Sequence, residues 1–386
     1  MDKIEHPAGN PLSRREALRL GLTGLGVASA LSWGADRGNL AAQGPPAATP
    51  PNPRPNPNFP MMPTWETELK ELAPGVYAYI QGGGPAKNNV SVSNAGVIVG
   101  DDGILLIDAL AVPIHAKAMV AAIRKVTDKP FKYLVTTHHH GDHVGGNQFI
   151  PDNPEIISHP YCRAEVVKQV AGPALWPKRE GWADGTEPRK ILPATTTFDG
   201  TMTYHIARTQ VQIMPMLPAH TYGDLVAYLP EHKILIAGDI GFFYVAPFCQ
   251  NAHPSNWISI CDRINAMDIE RIVAGHGPLG GKQQLAEMAD YLRLLKVESK
   301  KRWDAKLTAG AAAADITLGK FDNWIGPERI IMDTVRFYME FDGTLVPDVN
   351  QAGIRTATQE YNTIKAGKKT ADTINPLYEE PYDERA

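Results

Sequence analysis

Thr137-His138-His139-His140-Gly141-Asp142-His143 places four of the chain's twelve histidines within six consecutive residues. Read as His-x-His-x-Asp-His, the stretch offers His138 and His140 to one metal ion, and Asp142 and His143 to a second beside it. Neutral imidazoles and a carboxylate suit Zn²⁺, with other borderline divalent ions such as Fe or Mn also accommodated. The run is internal and interrupted by Gly141 and Asp142, which excludes an expression tag. Phe131–Val135 just before it reads as a short buried strand. Val144-Gly145-Gly146-Asn147 behind it gives the backbone freedom to turn tightly.

Working outward, the same alternation of strand and strand-end ligand recurs. Strands are predicted at 75–80, 90–99 and 104–107, with Asp101-Asp102-Gly103 as a hairpin turn and Asp108 closing the last of them. A helix follows from Pro113 to about Val126, with proline near its start. In the second half, strands are predicted at 202–206, 211–216, 225–229, 234–237 and 272–273, and a helix at 256–267. His220, Asp239 and His276 each follow or end one of these strands. Residues 171–192 show no periodicity and read as a long loop, a feature often tied to function. The repeated layout predicts an α/β (α+β) architecture of two β-sheets packed face to face with helices outside. Beyond Gly281 the chain reads as helical to about Arg302, and again at 330–341 and 356–365.

Together these residues resemble the metallo-β-lactamase-fold hydrolases, an αββα sandwich carrying a metal pair at one edge. The resemblance covers about Trp65 to Leu295. It implies that His138, His140 and His220 hold one metal, that Asp142, His143 and His276 hold the other, and that Asp239 bridges both. It also implies that Asp108 orients a ligand from behind. An aspartate at position 239 resembles thioester, lactone and phosphodiester hydrolases of this fold more than its true β-lactamases, which leaves at most a weak β-lactamase side activity. His220-Thr221-x-Gly223-Asp224-Leu225 resembles an exported branch that includes quinoprotein-relay and sulfur-oxidation accessory hydrolases. Two Zn²⁺ ions about 3.5–4 Å apart would share a water and lower its pKa toward about 7, giving a bridging hydroxide at neutral pH. Asp142 is then both ligand and proton acceptor, and Tyr222 a candidate oxyanion donor. Phe242, Phe243, Tyr244, Trp176, Trp182, His253 and the Gly82–Gly84 turn are candidates for the pocket wall or, equally, for packing.

The expected reaction is metal-dependent cleavage of a small ester, thioester, lactone or amide. The rivals are a phosphodiesterase of the same fold, a periplasmic metal-binding accessory protein with little turnover, and a mononuclear iron sulfur-dioxygenase. No Gly-x-Ser-x-Gly turn supports a serine hydrolase.

Composition narrows the partners. A net charge of −4 with 21% charged residues argues against nucleic acid and leaves a small-molecule substrate. The three cysteines cannot all pair, so no disulfide scaffold is expected. Ser13-Arg14-Arg15-Glu16-Ala17-Leu18, followed by a Gly-rich apolar run and Leu40-Ala41-Ala42, reads as a twin-arginine export signal over residues 1–43. Periplasmic localisation without stable membrane insertion is therefore expected. A Pro-rich linker is read over 44–64, a catalytic domain over 65–300 and a helical extension over 301–386, the last packing on the core or joining subunits of a homo-oligomer.

Overall fold

Short apolar runs too brief for helices form most of the strands, and their alternation decides which face of each sheet they fill. The computed structural model describes residues 56–84, 93–178 and 181–371. The export signal falls outside these residues, as does the linker up to residue 55. The described residues form a single compact unit.

The first sheet runs in chain order through β1 (Glu68–Ala73), β2 (Val76–Ile80), β3 (Ala95–Val99), β4 (Ile104–Ile107), β5 (Phe131–Val135), β6 (Glu155–Ser158) and β7 (Thr196–Thr197). Its first four strands are antiparallel, and β4 to β7 run parallel. The second sheet has the order β12 (Arg271–His276), β11 (Ile234–Phe242), β10 (Leu225–Leu229), β9 (Thr209–Pro215), β8 (Met202–Ile206). Only its β11–β12 pair is parallel.

Alternate residues explain the layering. Val76, Ala78, Ile98, Leu105, Ile107 and Val135 of the first sheet share a core with Ile213, Ala227, Ile236 and Val273 of the second. Their sequence neighbours point the other way. Val97, Ile104, Leu106 and Leu134 pack with Met119 and Ile123 of helix α1 (Pro113–Ile123). Val226, Leu235, Ala237 and Ala274 pack under helices on the opposite face. Those helices are α4 (Pro254–Asn265), α5 (Lys282–Asp304), α6 (Ala309–Asp315), α7 (Ile330–Phe341) and α8 (Gln351–Ala371). The result is the expected helix–sheet–sheet–helix sandwich. At about 25 cal/mol per Å² of apolar surface removed from water, these layers supply the main drive to fold.

Several elements were not predicted. The strand β1 is a charged, largely exposed edge, β6 is four residues long, and helix α3 (Pro160–Gln169) has almost no apolar stripe. The histidine stretch is not all loop: Asp142 and His143 stand on a one-turn helix, α2 (Gly141–Val144). Gly145 and Gly146 there have ordinary helical φ values of −60° and −79°. What requires them is close packing rather than a tight turn, because a Cβ would lie 2.0 Å from Ala111 O or 1.8 Å from Ala109 O. Near the start of the described chain, Asn323 binds the carbonyls of Asn56, Phe59 and Pro60 through Nδ2, and Met62 is buried. No helix among the described residues is long and apolar enough to cross a membrane.

Candidate metal centre

Every candidate ligand lies at the edge where parallel strands of both sheets end. Asp108 follows β4, His138 and His140 follow β5, and Asp142 and His143 sit on α2. From the second sheet, His220 lies between β9 and β10 and His276 ends β12. Asp239 does not end its strand as the sequence suggested. β11 continues to Phe242 with all nine residues buried. Its register against β12 slips on either side of Gly238, which takes a positive φ of 50°. Such a bulge re-aims the side chain beside it, here Asp239.

The seven side chains converge into two groups. His138, His140, His220 and Asp239 form one, and Asp142, His143 and His276 the other, with ligand atoms in each lying within 4.8 Å of one another. Asp239 joins them. Its Oδ2 lies 3.1 Å from His220 Nε2, 3.3 Å from His276 Nε2 and 3.6 Å from His138 Nε2, while Oδ1 lies 3.0 Å from His143 Nε2. Asp142 Oδ2 is 3.2 Å from His276 Nε2, and His140 Nδ1 is 2.8 Å from His220 Nε2. His139, between two of these residues, belongs to neither group.

Hydrogen bonds behind the rings decide which nitrogen faces inward. Asp108 Oδ2 accepts from His143 Nδ1 at 2.7 Å and from Thr137 Oγ1 at 2.7 Å, and Oδ1 accepts from the Thr137 N–H at 2.8 Å. With its own proton committed to Asp108, the Thr137 hydroxyl accepts from His138 Nδ1 at 3.1 Å. His138 and His143 thereby keep their Nε2 lone pairs toward the centre. The Phe242 ring stacks on His276 at 4.7 Å and 16°, and Trp257 packs against His220 at 5.3 Å.

The electrostatics are those of packed imidazoles around two carboxylates. Burial opposes ionisation of Asp239, but His276, His143, His138 and His220 overcome it and hold this carboxyl well below its usual range. Asp142 is held low in the same way, by His143 and His276 against its own burial. Burial and neighbouring imidazoles push His138 well down, and burial with His220 brings His140 to about 4. Burial would also lower His143 and His276, but the surrounding carboxylates raise both, His276 to about 9.

These residues fit a pair of divalent cations. His138 Nε2, His143 Nε2 and Asp239 Oδ1 are fully buried and have no hydrogen-bond partner. Groups so placed are normally satisfied, and a cation in each ligand group would satisfy them. The donor set of five imidazoles and two carboxylates is one that zinc takes.

The remaining candidates are less central. Tyr222 faces the Tyr161 and His253 rings at 6.0 and 6.4 Å, with Arg336 and Glu340 as its charged neighbours, rather than the ligand rings. Phe243 is buried, and Tyr244 lies against Trp324. Trp176 and Trp182 share a small apolar cluster with Ala111 and Val112. His253 Nδ1 lies 3.4 Å from Glu340. Gly83 pairs with Trp65 in an isolated bridge. Sequence reading missed Thr137 and Asn251, whose Oδ1 lies 2.9 Å from His140 Nε2. Their residue types carry no pattern that marks them.

Comparison with known proteins agrees with this arrangement. Residues 88–276 match the metallo-beta-lactamase superfamily. A linear primary-alkylsulfatase of Pseudomonas sp. (strain ATCC 19151) is 24% identical over 236 residues, covering 51% of this chain and 44% of that protein. A metallo-beta-lactamase type 2 of Bacillus sp. (strain 170) is 23% identical over 206 residues, covering 52% of this chain and 73% of that protein. Among solved structures, the stereoselective inverting sec-alkylsulfatase of Pseudomonas sp. superposes with a TM-score of 0.53 at 16% identity, covering 71% of this chain and 50% of that one. The chain thus spans about half the length of the alkylsulfatases it matches. Ligand order, sandwich topology and these similarities agree that this protein carries a metallo-beta-lactamase superfamily domain.

Proposed function

We propose that this chain is an exported dinuclear zinc hydrolase that cleaves a small ester, thioester, lactone or amide. The observation that carries the reading is the convergence of seven ligand side chains on buried nitrogen and oxygen atoms that no protein group satisfies. Bound there, two divalent cations would polarise the scissile group and acidify a nucleophilic water.

The protein's own part is to prepare that chemistry. Asp108 and Thr137 set the tautomers of His143 and His138 before any substrate arrives. Asp239 reaches both groups, Oδ1 toward His143 and Oδ2 toward His138, His220 and His276, so that both share a single counter-charge. Asp142 has a side chain 19% exposed, the most open of the carboxylates here. That position suits it to take a proton and pass it to solvent or to a departing group. Phe242 and Trp257 close the inner side against water. No serine or cysteine nucleophile is required.

A second reading, hydrolysis of a sulfate ester, is favoured by the alkylsulfatases among the relatives. Metal analysis of the purified protein, followed by a panel of esters, thioesters, lactones, phosphodiesters, alkyl sulfates and a cephalosporin, tests both. About two zinc per chain and carboxyl-ester or lactone turnover, abolished by chelation and restored by zinc, is expected. Turnover confined to alkyl sulfates establishes the second reading. Metal-replete protein that hydrolyses none of the panel overturns both, leaving the accessory role.

A further inference from the structure

The ligand rings are not all held from nearby. Asp108 and Thr137, which orient His143 and His138, lie on the adjoining strand ends. His140 is instead held from more than a hundred residues away. The Asn251 amide sits between its Nε2 and the Pro347 carbonyl, with Oδ1 2.9 Å from the imidazole and Nδ2 2.9 Å from Pro347 O. A carbonyl oxygen only accepts, so Nδ2 must face Pro347 and Oδ1 must face His140. The Gln250 amide nitrogen is 3.5 Å from the same Nε2, too far to compete, so the proton of His140 sits on Nε2 and its Nδ1 lone pair faces His220.

The chain around Asn251, itself 6% exposed, is pinned at successive residues. The Cys249 N–H donates to Asp333 Oδ1 at 3.2 Å, and Ala252 O accepts from Arg336 Nε at 2.5 Å. The His253 N–H donates to Ala219 O at 2.8 Å, beside His220. Arg336 is 2% exposed and also gathers the carbonyls of Val346 and Asp348, at 2.5 and 3.2 Å. One buried cation thus ties Ala252, next to Asn251, to the segment that follows α7. A primary amide can accept from an imidazole on one edge and donate to a carbonyl on the other. An aliphatic side chain does neither.

We propose that Asn251 is a positioning residue for the metal centre, and that through it the segment after α7 holds His140 in its ligating tautomer. This rests on the metal reading of the preceding section. The test is zinc affinity, by competition with a chromophoric chelator, for wild type, Asn251→Leu, Asn251→Asp and His140→Ala in the full chain. Asn251→Leu is expected to lower the affinity of one zinc equivalent about 10–100-fold, the cost typical of removing a group that orients a ligand. Asn251→Asp keeps an acceptor toward His140 but sets an oxygen against Pro347 O in place of the Nδ2 donor, so it is expected to lose affinity for the same equivalent, by less than Asn251→Leu. His140→Ala should lose the same equivalent.

Wild-type affinity in Asn251→Leu, or in Asn251→Asp, overturns the proposal while leaving the metal reading intact. A wild type that binds no zinc overturns both. Should Asn251→Leu not fold, nitrogen-15 histidine NMR of zinc-loaded wild type decides instead. A proton on His140 Nε2, slow to exchange, is expected, and one on Nδ1 overturns the proposal.

Discussion

Asp239 shows how much one side chain carries. A single carboxylate lies within 3.0–3.6 Å of four imidazoles drawn from three separate segments. Its replacement by alanine removes both the link between the two ligand groups and the charge that holds His276 up to about 9. Asp239→Ala is expected to lose at least about 100-fold in kcat/KM, near 3 kcal/mol of transition-state stabilisation, together with bound metal. Steady-state kinetics and metal content check this, and a wild-type rate would refute the ligand assignment. At this scale the sequence was informative wherever chemistry is rare. Imidazoles at His138, His140 and His143 stand out because histidine is scarce and four fall together. Asn251 and Thr137 do not stand out, since Asn and Thr are common and acquire their role only from a partner elsewhere.

Elements aim the residues. The bulge in β11 at Gly238 and the close approach of β12 leave no room for a side chain at Gly275, where a Cβ would lie 1.9 Å from Asp239 Oδ1. Gly275→Ala is therefore expected to destabilise by about 1–3 kcal/mol through overpacking. Displacing Asp239 by about 1 Å would also cost about 100-fold in activity. Thermal melts and kcat/KM report the two effects separately, and an alanine variant with native activity would show that Asp239 tolerates the push. Most strands were legible from short apolar runs, and strands 202–206 and 225–229 and helix 330–341 match the structure residue for residue. The bulge was not legible, because the register of β11 is set by β12 more than thirty residues later. Nor was β1, whose charged face suits an exposed edge but resembles a loop in sequence.

Across the molecule, the C-terminal helices form one core with the second sheet, and a buried acid records that packing. Asp333 on α7 accepts from Tyr291 Oη at 2.9 Å and from the Cys249 N–H at 3.2 Å. Burial raises its carboxyl from 3.8 to about 7, outweighing those hydrogen bonds. The folded protein therefore binds this proton more tightly than the unfolded chain does. Its contribution to stability is full below pH 3.8 and is lost as pH rises through about 7. Asp333→Asn cannot ionise, so its melting temperature relative to wild type should rise between pH 5 and pH 8. Melts at the two values check the sign, and a constant difference would mean Asp333 titrates normally.

The amino-acid sequence by itself determined the kind of chemistry, the order of the ligands and the alternation that makes two sheets. Each of those depends on residue type and on neighbours a few positions away. Tertiary structure alone decided which nitrogen of each imidazole faces inward, how Asp239 is aimed and that Asn251 backs His140. Those outcomes require groups far apart in the chain to meet within hydrogen-bonding distance. No local pattern encodes such a meeting, because it arises only when the sheets and helices have packed.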